Sequence, residues 1–144
     1  MRKFLKIALM VSFMALAFAC AKDEPAVPAM EVTPNNISGT WKLQEINGTP
    51  VADGLFMYLE LIRRDKKFAF HENISGSQTV VNHRTGRFDI FEGDVITFLY
   101  DGSMSEYGKK YQITELTENK MVWVREDDKD EISVYVRCES IPEL

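Results

Sequence analysis

The sequence predicts an all-β protein, a small antiparallel up-and-down barrel of about eight strands. Three observations carry that expectation. Apolar residues alternate with polar ones over short runs, as a strand with one buried face requires. Turn-forming residues break these runs roughly every 8 to 14 positions. No apolar period near 3.6 persists beyond residue 36, so no long helix competes.

The runs lie at 39–46, 55–63, 66–72, 84–91, 94–100, 109–116, 120–126 and 131–138. The first carries Trp41 and ends at Asn47-Gly48, a strong hairpin signal because both residues tolerate positive φ. The second holds Phe56 and Tyr58. The third sets Phe68 and Phe70 against His71, and the fourth sets Phe88 and Ile90 against Arg87 and Asp89. The fifth is apolar on both faces, with Ile96, Phe98 and Tyr100 opposite Val95 and Leu99, so its outer face needs a cover. Tyr111 and Ile113 alternate with Gln112 and Thr114 in the sixth, and Met121, Trp123 and Arg125 share a face of the seventh. In the eighth, Ile132, Val134 and Val136 oppose Ser133 and Arg137. Cys138 has the valines' parity and reads as a small buried hydrophobe. Eight such strands joined in series bury one face by stacking as two sheets or by closing into a ring, and closure also removes the exposed edges.

Ahead of this domain, Arg2, Lys3 and Lys6 precede an apolar run at 7–18 and the pair Ala19-Cys20. That is the layout of a secretory signal, and a run of about a dozen residues is too short for the roughly 20 that a spanning helix needs. Residues 1–19 are therefore expected to be a removable signal peptide. With three prolines (Pro25, Pro28, Pro34) and no sustained apolar period, 20–36 reads as a flexible, solvated linker, and 37–144 as one domain.

The chain carries 17 basic and 22 acidic residues, a net charge of −5. Loss of 1–19 removes three bases and no acid, leaving 14 against 22 and a net charge of −8. This balance argues against nucleic acid or anionic lipid as a partner. Of two cysteines, Cys20 belongs to the signal's end, so no disulfide framework is available and the core must hold the fold.

Residues 16–20, Leu-Ala-Phe-Ala-Cys, resemble the lipobox of bacterial lipoproteins, which implies cleavage between Ala19 and Cys20 and a lipid on the Cys20 sulfur. Two or three acyl chains give stable anchoring, at about 0.8 kcal/mol per buried methylene. Lys22-Asp23-Glu24 resembles the surface-export signal of Bacteroidetes lipoproteins. The expected location is thus the outer membrane, lipid-anchored and facing the medium, with a periplasm-facing anchor as the alternative.

Gly39-Thr40-Trp41, after Ile37-Ser38 and before Lys42-Leu43, resembles the lipocalin signature. In that family a Gly-x-Trp on the first strand closes one end of an eight-stranded barrel and an Arg from the last strand packs over the Trp. The matching position is Arg137. Lys67-Phe68-Ala69-Phe70, Gly86-Arg87-Phe88 and Tyr111-Gln112-Ile113 are similar to segments of small lipocalin-like lipoproteins of Bacteroidetes. The paired cysteines of many secreted lipocalins are missing, and about 108 residues can be filled by their own side chains.

No residue pattern points to catalysis, a cofactor or a metal. His71 and His83 stand twelve apart in no ligand spacing. The acidic run 126–131 is interrupted by Lys129 and lacks the glycine-turned spacing of a calcium loop. The candidate ligand-cavity residues are Tyr58, Phe70, Phe88, Trp123 and Tyr135, with Trp123 the foremost. The expected function is non-catalytic: a membrane-tethered barrel binding a small apolar or amphipathic molecule. The alternative is a filled barrel that docks on an envelope protein or a glycan-handling complex. About 300 Å³ of largely apolar space separates the two.

Overall fold

The computed structural model describes residues 26–74, 81–104 and 108–144. Its nine strands are β1 (Gly39–Ile46), β2 (Thr49–Pro50), β3 (Phe56–Ile62), β4 (Lys67–Asn73), β5 (Asn82–Phe91), β6 (Val95–Tyr100), β7 (Lys109–Leu116), β8 (Lys120–Arg125) and β9 (Ile132–Cys138), preceded by the single-turn helix α1 (Pro34–Ile37). All neighbours are antiparallel, and β1 pairs with both β3 and β9, so eight strands close into a ring. The two-residue β2 folds back on the end of β1 through Asn47 and Gly48, both at positive φ.

Two β-bulges set which side chains enter the ring. The β1–β9 register shifts between Leu43 and Glu45, and the β7–β8 register between Ile113 and Glu115. Each extra residue lets the next apolar side chain return to the interior, which brings Leu116 as well as Ile113 into the core. Gly86 serves a different need. A Cβ there would collide with the Leu99 carbonyl and stand 2.7 Å from the Phe68 ring, so only glycine lets β5 and β6 pair beneath that ring.

Within the expected solvated linker 20–36, residues 30–36 lie against the barrel. Met30 donates its N–H to the Leu116 carbonyl (2.8 Å), and Met30 and Val32 pack on the core. Thr33 caps α1 by accepting from Asn36 N–H (3.2 Å), with Pro34 in the first turn, and Ile37 is fully buried. Two apolar residues among prolines are too few to show a period, so composition alone made this stretch look like linker.

One correction concerns β9. Ser133 and Tyr135 point inward and are buried, whereas Val134 and Val136 lie half-buried outside and Ile132 is exposed. The valines face cross-strand partners on the outer surface, Val122 opposite Val134 and Val124 opposite Ile132. Cys138 is likewise half-buried on that outer face, opposite Thr40, and burial raises its thiol pKa. A β-branched stripe outside and a tyrosine inside reverse the phase that hydrophobicity suggests.

Candidate functional site

The strand directions give the barrel two unlike ends. At one end lie α1 and the turns after β3, β5 and β7; at the other lie the connections after β1, β4, β6 and β8. The first end is sealed. Trp41 is fully buried there and donates Nε1–H to the Ile37 carbonyl at 2.8 Å. The Arg137 guanidinium lies 4.1 Å from the Trp41 ring centroid. It donates from Nη1 to the Ser38 carbonyl (2.6 Å), from Nη2 to the Asn36 carbonyl (2.9 Å) and from Nε to the Glu118 carbonyl (2.6 Å). One side chain thus ties together the entry segment, the last strand and the β7–β8 turn. A Cβ on Gly39, held at φ +127°, would meet Arg137 Nη1, so a glycine is required beside the guanidinium.

The other end opens into a cavity of about 270 Å³. Phe70 and Tyr100 line it, as do Tyr111, Trp123 and Tyr135, with Leu43, Ile46, Met57 and Ile74 between them. The rings brace one another: Tyr111 stacks on Trp123 with centroids 4.7 Å apart, and Trp123 meets Tyr135 edge-on at 4.6 Å. Phe98 is fully buried and contacts Phe70 (5.3 Å), Tyr111 (5.9 Å) and Trp123 (5.7 Å) edge-on.

Polar groups complete the lining. Arg84 pairs with Glu72 at 2.6 Å and sits over Tyr100 (5.1 Å) and Phe70 (5.6 Å). Arg125 holds Glu131 (2.6 Å) and Asp127, which organises the acidic β8–β9 turn around one cation. Ser133 also lines the cavity. Tyr135 Oη donates to Met57 Sδ at 3.2 Å, a weak acceptor. Burial, first among the causes, raises the phenol pKa values of Tyr100, Tyr111 and Tyr135, so all three stay neutral at physiological pH and keep their O–H to donate. The arrangement can stack an aromatic ligand, enclose an apolar one, and offer it hydroxyl hydrogen bonds.

Of the residues expected to line a cavity, Phe70, Trp123 and Tyr135 do. Tyr58 does not: it points outward on β3, opposite His71, because its parity is the reverse of the inward Leu59 and Leu61. Phe88 is buried inside the barrel but packs in the core, away from the cavity lining. Ala19, Cys20, Lys22, Asp23 and Glu24 lie outside the described residues. Arg84 and Glu72 were missed. Arg84 has the inward parity of Gly86 and Phe88, and a charge on that face was the available signal.

The family model of the lipocalin-like domain matches residues 37–123. The chain belongs to the lipocalin-like domain family. A comparison with curated proteins returns no match. In this lipocalin-like barrel the matched residues run from Ile37 at the sealed end to Trp123 on β8, and the end of β8 with β9 completes the ring.

Outside the lipocalin-like cavity, His71 and His83 stack face to face across β4 and β5 with centroids 4.5 Å apart. They stand on the outer surface, on the opposite face of their strands from the cavity residues Glu72 and Arg84. Among the described residues no group of three or more His, Cys, Asp or Glu is placed to hold a metal. Burial, then the neighbouring His83, lowers the His71 pKa, against a smaller opposing pull from Glu60. Below the ordinary histidine value of about 6.5 the unfolded chain takes up a proton that the folded chain resists, so stability falls as pH drops through that value. Urea midpoints measured between pH 7.5 and 5 are expected to decline, and His71→Gln is expected to flatten the decline. An unchanged slope in the variant would show that the stacked pair does not set it.

Proposed function

We propose that this lipocalin-like domain is a lipid-anchored, non-catalytic binding module that takes a small apolar or amphipathic molecule into its open-end cavity. The aromatic cavity itself carries the reading: Phe70, Tyr100, Tyr111, Trp123 and Tyr135 converge on one space while the rest of the interior is packed. Its volume of about 270 Å³ sits just under the lower end of common ligand pockets, about 300 Å³, which restricts the occupant to a compact molecule. The hydroxyls of Tyr100, Tyr111 and Ser133 suit a ligand with one or two polar atoms. The Cys20 lipid and outer-membrane location follow from the signal-like N-terminus.

The same volume, just short of that range, favours the second reading, in which the barrel is filled and docks on an envelope protein or glycan-handling complex. Titration with N-phenyl-1-naphthylamine, a neutral aromatic probe, separates them through energy transfer from Trp123. Micromolar binding is expected. Ser133→Phe, which places a ring inside the cavity, should weaken binding at least about tenfold with an unfolding free energy within about 1.5 kcal/mol of the parent. No binding, or equal binding to both chains, would remove the carrier reading.

A further inference from the structure

The charges in the cavity wall are unequal in number. Glu72 and Glu131 line it with Arg84, whereas Arg125, which holds Glu131, lies outside the lining. Arg125 is itself shared with Asp127 and Asp128, so one cation there stands against three carboxylates. Each wall carboxylate meets its arginine through one oxygen, Glu72 Oε1 and Glu131 Oε2, and the second oxygen of each is held by no cation among the described residues. The two side chains are 15 % and 35 % exposed, so water screens their charge only in part.

The rim has the same sign. Among the described residues around the mouth, at 45–53, 72, 84, 101, 109–110 and 125–131, nine acids stand against five bases. A negative mouth draws cations and repels anions before either touches the wall. The buried phenol of Tyr135 registers the field inside: after burial and Tyr111, the carboxylates of Glu72 and Glu131 raise its pKa, ahead of any cation of the chain. The rings supply the other half of a cation site. Arg84 already rests over Tyr100 at 5.1 Å and Phe70 at 5.6 Å, so the faces of these rings stabilise a positive charge at the cavity. Tyr111, Trp123 and Tyr135 converge on the same space, and no cation of the described residues lies over them. Several ring faces beside a carboxylate can take an ammonium group out of water, since the rings offer their negative faces and the carboxylate a full counter-charge.

We infer that the cavity takes a compact aromatic amine in its ammonium form, with the ring among Tyr111, Trp123 and Tyr135 and the charge against Glu131, Glu72 standing beside it. This rests on the binding-module reading above and names the class of molecule bound. A ligand carboxylate would need Arg84, which Glu72 already holds at 2.6 Å, whereas Glu131 has no cation of its own in the lining. A single ring with a short arm also suits a space of about 270 Å³.

The test is calorimetric titration of the full chain with 2-phenylethylamine, 2-phenylethanol and phenylacetate, three single-ring probes that differ chiefly in charge. The amine is expected to bind at least about tenfold more tightly than the alcohol, and phenylacetate more weakly than either. Glu131→Gln, which keeps the side chain's shape, should cut the amine's affinity about fivefold and leave the alcohol's unchanged, and salt at about 0.5 M should weaken the amine alone. An alcohol or phenylacetate that binds as tightly as the amine, or a Glu131→Gln variant that loses both amine and alcohol equally, overturns the preference for a cation and leaves the carrier reading standing. Binding of N-phenyl-1-naphthylamine with none of the three small probes does the same. Binding of none of the four overturns both readings.

Discussion

Trp41→Ala is expected to lower the unfolding free energy by about 3–5 kcal/mol, the range for deleting a large buried aromatic. The side chain is fully buried at the sealed end and its indole N–H satisfies the Ile37 carbonyl. Its ring also faces the Arg137 guanidinium at 4.1 Å, an attraction worth about 0.5–2 kcal/mol. Removing the indole would leave a void beneath Arg137 and an unpaired carbonyl in α1. Urea denaturation reads the difference, and Trp41→Phe, which keeps most of the packing and loses the N–H, should cost about half as much. A loss under about 1.5 kcal/mol for the alanine variant would mean that the sealed end is held by something other than this ring.

Phe98→Ala should cost a similar 3–5 kcal/mol and should also change what the barrel accepts. Phe98 is fully buried on β6 and contacts Phe68 at 4.8 Å on one side and the cavity rings Phe70, Tyr111 and Trp123 on the other. It is therefore a partition between the packed half and the open half. Its truncation would join the new void to the existing cavity of about 270 Å³, admitting aromatic probes that the parent protein excludes. Denaturation gives the first number, and affinities for a series of probes of increasing length give the second. Unchanged length selectivity in a destabilised variant would show that the void collapses instead of joining the cavity.

These residues also show which features a sequence discloses. Eight strands are legible within one or two residues for most of them, because alternation and turn chemistry are local. Phe70 and Trp123 can be assigned to the interior for the same reason, whereas the alternation in β9 favours its valines over Tyr135. Tyr58 and Cys138 fail because aromatic or apolar character does not say which face of a closed sheet is inside, and the outer faces of β8 and β9 are nearly as apolar as the inner ones. The Glu72–Arg84 pair and the stacked histidines depend on the β4–β5 register, which is a property of two strands together. Met30 and Val32 fail for want of length: two apolar residues show no period until the barrel supplies the surface they cover.

The clasp formed by Arg137 imposes an order in time. Its bond to the Ser38 carbonyl spans 99 positions, and the edge of β1 that pairs with β9 stays bare until β9 arrives. Synthesis from the N-terminus therefore leaves the growing polypeptide with two raw edges until nearly the last residue emerges, and long-range pairing of this kind is slow to nucleate. A growing polypeptide that cannot close early leaves those edges open to mispairing for longer.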